Sequence, residues 1–327
     1  MLNNEVVYTS TFNISYSKFN INKMRTVKKY LSLIKFSHTI FAMPFAMIGF
    51  FLAVLKVERA GSLNQAIGWH ADLTNGGAMQ FYAITFTLVI LCMIFARSAA
   101  MAFNRYLDRH FDARNPRTAI REIPAGILKA DNVLIFTIAC SVLFIVCTWF
   151  INTICFLLSP VALFVILFYS YTKRFTPLCH LVLGLGLSLA PIGAYLAVTG
   201  EFALLPILFS LAVIFWVSGF DIIYALQDEE FDKSNQLYSI PSWLGKAKAL
   251  RVSEILHVLS AACVIIAGWQ FGWLYWIGVA IFVSMLLYQH SIVKPTDLLR
   301  VNLAFMTANG IASVVFAVFV IADLFIN

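Results

Sequence analysis

Asn104-Arg105-Tyr106-Leu107-Asp108-Arg109-His110-Phe111-Asp112 follows directly on an apolar run over residues 80–103, and Ala113-Arg114-Asn115-Pro116-Arg117 comes after it. Asn104, Asp108 and Asp112 stand four residues apart. On an α-helix each step of four advances roughly 40° around the axis, so the three side chains share one face. Two carboxylates and an amide in one stripe repel unless a cation joins them, and the interleaved arginines draw a phosphate to the same place. Asp228 and Asp232 repeat the spacing where another long apolar run ends near residue 227. One such stripe reads most simply as a solvated helix end with i,i+4 acid–base pairs. Two of them on one side of a membrane read as a site.

The apolar runs fix the class. Of 327 residues, 61% are hydrophobic and 12% charged, with a mean hydropathy of +0.85. That leaves too little polar surface for a soluble protein of this length. The runs are helix-length and do not alternate in ten-residue segments, so the expected fold is all-α, a polytopic membrane bundle and not a barrel. Nine transmembrane helices around a central cavity are expected, at roughly 36–56, 80–103, 132–150, 154–172, 180–199, 203–226, 252–270, 272–290 and 302–323, each long enough for a ~30 Å hydrocarbon core. They form a single transmembrane domain over residues 31–327. Residues 1–30 are expected to be a loose cytoplasmic tail, Asn/Ser/Thr-rich over its first 22 residues and without the apolar core of a cleavable signal.

Charge sets the orientation. Of the 23 Lys and Arg, 20 fall on one side: five in the N-terminal segment, Lys35 at the start of span 1, and the rest in the loops after spans 2, 4, 6 and 8. Lys56 and Arg59 lie on the other side, and Arg97 lies inside span 2. The basic side is cytoplasmic by the positive-inside rule, so both acidic clusters face the cytoplasm from an inner (cytoplasmic) membrane. The formal charge of +7 has this topological cause, and no nucleic-acid motif accompanies it. The six cysteines sit in or beside apolar runs with no C-x-x-C spacing, as small packing residues do. Ile123-Pro124-Ala125-Gly126 after the first cluster is echoed by Ile240-Pro241-Ser242-Trp243-Leu244-Gly245 after the second, a hint of an old duplication.

Paired aspartates on two helix ends suit Mg²⁺, which takes octahedral oxygen from one or two carboxylates plus substrate phosphates. Zinc spacing, a Walker loop and G-x-G-x-x-G are all missing. Arg97 lies seven residues before Asn104, about 10 Å deeper on nearly the same face. An ionisable group there either snorkels or serves the site. Arg117 and Arg121, one turn apart if helical, are placed to clamp phosphate oxygens or to act as ordinary loop charge. Tyr169 and Lys173 share a face at the end of span 4, as an interfacial belt or as part of the site. Lys35 and His38 open span 1 on the cytoplasmic side.

The segment from Ala96 through Asp112, with Asn115-Pro116-Arg117-Thr118 and Pro124-Ala125-Gly126, resembles the first motif of the UbiA superfamily of intramembrane prenyltransferases. Asp221-Ile222-Ile223-Tyr224-Ala225-Leu226-Gln227-Asp228-Glu229-Glu230-Phe231-Asp232 is similar to the second, and Tyr169 to Lys173 to the Y-x-x-x-K element. Lys35-Phe36-Ser37-His38-Thr39 and the Asn104-Arg105 pair resemble the 4-hydroxybenzoate polyprenyltransferase-like branch, which includes members serving menaquinone synthesis. The resemblance implies transfer of a polyprenyl group from polyprenyl diphosphate to a small aromatic acid within the lipid bilayer. It implies that Asn104, Asp108, Asp112, Asp228 and Asp232 bind Mg²⁺-diphosphate, that Lys173 and Arg121 hold diphosphate, and that Tyr169 lies beside the reacting allylic carbon. Asp221 is left open between orienting an acceptor and supporting the site. Lys35, Arg97, Arg117 and Arg121 offer cations for diphosphate and for an acceptor carboxylate. The acceptors implied are 4-hydroxybenzoate first and a dihydroxynaphthoate second.

The competing class is an ion-coupled transporter, which calls for acids at the midplane of broken spans. Here the acids cluster at span ends. Reporter fusions after Arg117 and Asn235 are expected to report the cytoplasm and a fusion after Asn327 the outside; the opposite pattern inverts the topology and removes the cytoplasmic site.

Overall fold

The computed structural model describes residues 29–34, 41–61 and 77–327. Nine long helices run through the described residues: α1 (Met43–Ala60), α2 (Gly77–Arg114), α3 (Ala130–Trp149), α4 (Thr153–Thr172), α5 (Cys179–Thr199), α6 (Leu204–Ala225), α7 (Lys246–Ala267), α8 (Trp273–Ile292) and α9 (Leu303–Ile326). Among the described residues, eight helices are long and apolar enough to cross a membrane. The exception, α1, carries Lys56, Glu58 and Arg59 in its last turns. The expected spans fall on these helices with two informative differences. The 80–103 span is part of a 38-residue helix that runs on through Arg114, and the 252–270 span starts earlier, at Lys246. The bundle is thus the all-α architecture read from the sequence.

Local chemistry explains the ends. Pro44 opens α1, where its missing N–H costs nothing, and Gly61 closes it in the left-handed region at φ 60°. Asn152 caps α4: its side-chain oxygen accepts from Cys155 N at 2.9 Å while its amide donates to Leu196 O at 2.8 Å. One residue thereby starts α4 and ties it to the end of α5. The two echoed loops share a feature, since Gly126 and Gly245 both hold positive φ, at 70° and 78°. Residues 29–34 are helical, with Leu33 and Ile34 buried, and Tyr30 packs on Phe136 at 4.8 Å. The expected tail lies outside the described residues up to residue 28, as does Lys35.

Aromatic rings fill the middle: Phe45, Phe209, Trp216, Phe282 and Phe316 are fully buried together between α1, α6, α8 and α9. A polar network is set into this core. Trp216 Nε1 and Gln289 Nε2 both donate to Asn309 Oδ1, at 2.8 and 2.9 Å. Asn309 Nδ2 in turn donates to the carbonyls of Ala304 and Phe305, within the π-helical turn Leu303–Ala308 that begins α9. A π turn widens the backbone ladder, and the Asn309 amide supplies donors that satisfy it.

Helices α1 and α5 approach until a side chain no longer fits between them. A Cβ on Gly49 would overlap the backbone carbonyl of Pro191. Gly49→Ala is therefore expected to destabilise the bundle by about 1–3 kcal/mol, read as a lower thermal midpoint in detergent. Gly310→Ala, where an added Cβ meets nothing within 4 Å, is the control and leaves the midpoint unchanged; equal behaviour of the two variants contradicts the close approach.

Candidate active site

Helix α2 runs three turns past its apolar part, which carries Asn104, Asp108 and Asp112 beyond it on one face. Helix α6 ends differently. It tightens into a 3₁₀ turn, Leu226–Asp228, and resumes as the short helix Glu229–Ser234. Asp228 takes the N-cap place of that short helix without using its side chain as a cap, which leaves the carboxylate free to face the first cluster.

All ten described candidate residues line one cavity of about 650 Å³. It receives Arg97, Asn104, Asp108 and Asp112 from α2 and Arg117 and Arg121 from the loop after it. Tyr169 and Lys173 enter from the end of α4, and Asp228 and Asp232 from beyond α6. The eleventh candidate, Lys35, lies outside the described residues. Cys155 and Lys173, near opposite ends of α4, both line the cavity, so it runs about 27 Å at 1.5 Å per residue. Its mouth is charged, and its far end is lined by Phe144, Ile151, Leu196 and Phe202.

Each carboxylate at the mouth is held by its own cation. Arg174 Nη2 meets Asp108 Oδ1 at 2.8 Å, and Asn104 Nδ2 donates to Asp108 Oδ2 at 3.0 Å. Arg121 Nη1 reaches Asp112 Oδ1 at 2.6 Å. Arg117 grips Asp228 with two nitrogens, Nε to Oδ1 at 3.0 Å and Nη2 to Oδ2, while its Nη1 donates to the Tyr224 hydroxyl at 2.9 Å. Asn115 Nδ2 adds a bond to Asp228 Oδ1 at 3.2 Å. Lys173 Nζ lies 2.7 Å from Asp232 Oδ1, and Ser239 Oγ donates to Asp232 Oδ2 at 2.9 Å. Burial pulls the Lys173 ammonium down, but Asp232 and Asp228 outweigh it and leave the group above its ordinary value, hence charged. Arg117 follows the same pattern: burial lowers it and Asp228 and Tyr224 raise it further.

The donors fit a hard cation. They are carboxylate oxygens, and Asp112 Oδ2 is buried without a hydrogen-bond partner among the described residues. No group of three or more His, Cys, Asp or Glu among the described residues could hold a metal by itself. A Mg²⁺ ion here would complete its shell with water and substrate oxygens, its usual habit. Arg97, half-buried and deeper on α2, and Arg105, buried beside Asn104, each have a buried Nε without a partner, and neither forms an ion pair among the described residues. Two guanidinium groups without ion-pair partners among the described residues, lining one cavity, suit it to anions.

Sequence reasoning missed several members. Arg174 was counted only as loop charge, yet it holds Asp108. Asn115 and Tyr224 sat inside quoted motifs without a role, and Ser239 carried no signal at all. His180, paired with Asp221 at 2.7 Å, was equally invisible. The Lys173-Arg174 doublet was the one available clue, because two adjacent cations on a helix end can point to two different carboxylates.

Both the sequence and the fold match known proteins. The model of the UbiA prenyltransferase family matches residues 72–311. The 4-hydroxybenzoate octaprenyltransferase of Tolumonas auensis is 29% identical over 252 residues, covering 76% of this chain and 87% of the relative. That of Francisella tularensis subsp. novicida is 29% identical over 242 residues, covering 73% and 84%. Among solved structures, a UbiA homolog from Aeropyrum pernix superposes with a TM-score of 0.69 at 26% identity, over 88% of this chain and 97% of the other. The fold is also that of a UbiA homolog from Archaeoglobus fulgidus bound to DMAPP and Mg²⁺, with a TM-score of 0.68 at 20% identity over 91% and 100%.

Proposed function

The chain belongs to the UbiA prenyltransferase family, and from that premise we propose that it transfers a polyprenyl group from polyprenyl diphosphate to an aromatic acid of quinone biosynthesis, 4-hydroxybenzoate. One observation carries the reading: a mouth with two carboxylate pairs and their cations stands at one end of a cavity about 27 Å long whose far end is apolar. A charged head and a long hydrocarbon tail in one molecule match those two ends. The relatives that act on 4-hydroxybenzoate support the acceptor, and the DMAPP and Mg²⁺ of the archaeal neighbour support the donor and the metal. The basic asymmetry of the loops puts the mouth on the cytoplasmic side of the inner membrane.

The residues divide the work by depth. Asp108, Asp112, Asp228 and Asp232, with Asn104 beside them, would hold Mg²⁺, which would supply positive charge for the leaving diphosphate. Arg117, Arg121, Lys173 and Arg174 stand within reach of the same oxygens and take up phosphate charge as it develops. The apolar walls exclude water from the allylic cation, which would otherwise be hydrolysed. Tyr169 presents a ring face to that cation. Arg97, deeper and unpaired among the described residues, receives the carboxylate of the acceptor through a charge-assisted hydrogen bond.

In membranes supplied with labelled prenyl diphosphate and 4-hydroxybenzoate, turnover is expected to stop on chelation of Mg²⁺, and Asp108→Asn and Asp228→Asn each lower the rate at least ~100-fold. Near-normal turnover in variants that still insert stably refutes the assignment of the two clusters. Acceptor competition tests the substrate. The purified enzyme is expected to use 4-hydroxybenzoate with kcat/KM at least ~10-fold above that of phenol, the equivalent of one charge-assisted contact. Equal values remove the Arg97 contact, and a preference for dihydroxynaphthoate moves the enzyme to the menaquinone branch.

A further inference from the structure

Arg117 and Arg121 reach the mouth from the loop between α2 and α3, so the placing of that loop decides where two of the four cations stand. Its turn closes on itself: Ile127 N and Leu128 N both donate to the Glu122 carbonyl, at 2.9 and 3.0 Å, and Gly126 takes φ 70°. Residues 29–34, which are helical, strap this turn from the far end of the sequence. Ser32 Oγ donates to Glu122 Oε1 at 2.5 Å, and Lys29 Nζ donates to Ile127 O at 3.4 Å. Leu33, next to Ser32, is fully buried in one cluster with Ala102 of α2, Leu128 and Val133 of α3, and Ile123 packs against that cluster. A lone surface hydrogen bond is worth little, because it costs side-chain freedom. Here buried neighbours already hold the donor, so the Ser32–Glu122 bond forms at small entropic cost.

Glu122 is the one acid between Asn115 and Lys129, and it stands among cations. It follows Arg121, which holds Asp112, and it lies within electrostatic reach of Arg105. Arg105 is buried, lines the cavity and has no ion pair among the described residues. Near a medium of low dielectric, a carboxylate within reach of an unpaired guanidinium is drawn to it. The Glu122 carboxylate is bonded to Ser32 instead. Every positive charge that Glu122 took would be one fewer for phosphate oxygens. Arg105 follows Asn104 directly and therefore stands at the level of the mouth, whereas Arg97 lies deeper.

We propose that Ser32 is a positioning residue for the prenyl diphosphate: it holds Glu122 against the strap of residues 29–34 and so keeps that carboxylate off Arg121 and Arg105, an inference that rests on the prenyl-transfer reading above. Ser32 itself touches neither the substrate nor a carboxylate of the two acidic clusters. It acts by leaving two guanidinium groups to the phosphate oxygens and by fixing the turn that follows them. A freed Glu122 competes with the donor for the same cations, so the loss falls on donor affinity. The acceptor, bound deeper against Arg97, does not feel it.

The test uses full-length enzyme in detergent or nanodiscs, geranyl diphosphate and 4-hydroxybenzoate, with inorganic diphosphate as a second probe of the donor site. Ser32→Ala is expected to raise KM for geranyl diphosphate, and the inhibition constant of inorganic diphosphate with it, about 5- to 10-fold. KM for 4-hydroxybenzoate and kcat stay within about twofold. Ser32→Thr, which keeps the hydroxyl, and Glu122→Gln, which can still accept it, each stay within about twofold of wild type. The double variant decides between two roles for Ser32. Ser32→Ala with Glu122→Gln has no carboxylate to release, so its KM returns to within about twofold of wild type. A residue that merely braces the loop leaves the double variant as weak as Ser32→Ala, and that result overturns the inference. An unchanged KM in Ser32→Ala, or a loss confined to kcat, also overturns it. If Ser32→Ala does not insert stably, Ser32→Asp, which repels Glu122, is compared with Ser32→Asp combined with Glu122→Gln: recovery in the combination supports the inference and its absence overturns it. A wild-type enzyme that uses no prenyl diphosphate overturns this inference and the functional reading together; active wild type with insensitive Ser32 variants overturns this inference alone.

Discussion

Four carboxylates share one mouth at the edge of an apolar bundle, and each is held by a cation from elsewhere in the chain. Like charges on a single helix face, near a medium of low dielectric, would push apart or take up protons. The pairing removes that penalty and fixes much of the backbone. Helix α2 has to extend past its apolar part to present Asp108 and Asp112. The loop after it has to fold back so that Arg117 and Asn115 reach Asp228, more than a hundred residues away. Helix α4 has to end where Lys173 and Arg174 diverge to different acids. The mouth is therefore specified from four segments at once, and its geometry does not depend on any single loop.

The sequence was legible wherever a local period carried the information. Asn104, Asp108 and Asp112 share a face because the helix continues through them, and the apolar runs mark the spans to within a few residues. It was illegible where the deciding contact joins distant segments. Nothing in the spacing of Asp228 and Asp232 announces the 3₁₀ turn between α6 and the short helix after it, where Arg117 and Asn115 reach Asp228 from a distant loop. Arg174 gave the same signal as any loop cation. His180 and Asp221 lie 41 residues apart on different helices, and only packing brings them together. Hydropathy also marks the start of α7 late, since Lys246, Lys248 and Arg251 are helical yet polar.

The apolar half of the molecule shows a related economy. Its core is aromatic, but its alignment depends on a few polar atoms that have no alternative partner in hydrocarbon. Asn309 alone joins α6, α8 and α9 and also completes the widened turn beneath Phe305. Phe305 lies on the cavity wall, 4.3 Å from the Tyr224 ring. The same Tyr224 accepts a hydrogen bond from Arg117. Packing in the bundle and charge at the mouth thus meet in one aromatic pair.

Ser239 and Ile240 are neighbours, yet they belong to different halves of the site. Ser239 holds Asp232 through its hydroxyl, and Ile240 holds His180 through its backbone. Ser239 is the N-cap and Ile240 the first residue of the short helix Ile240–Leu244, which is locked by a capping box between Ser239 and Ser242. Surface loops ordinarily accept an extra residue with little loss. Here a single insertion between these two positions would shift one contact away from the other by the length of a peptide unit. The spacing of this pair is therefore set by two contacts to the site as well as by the capping box that follows Ser239.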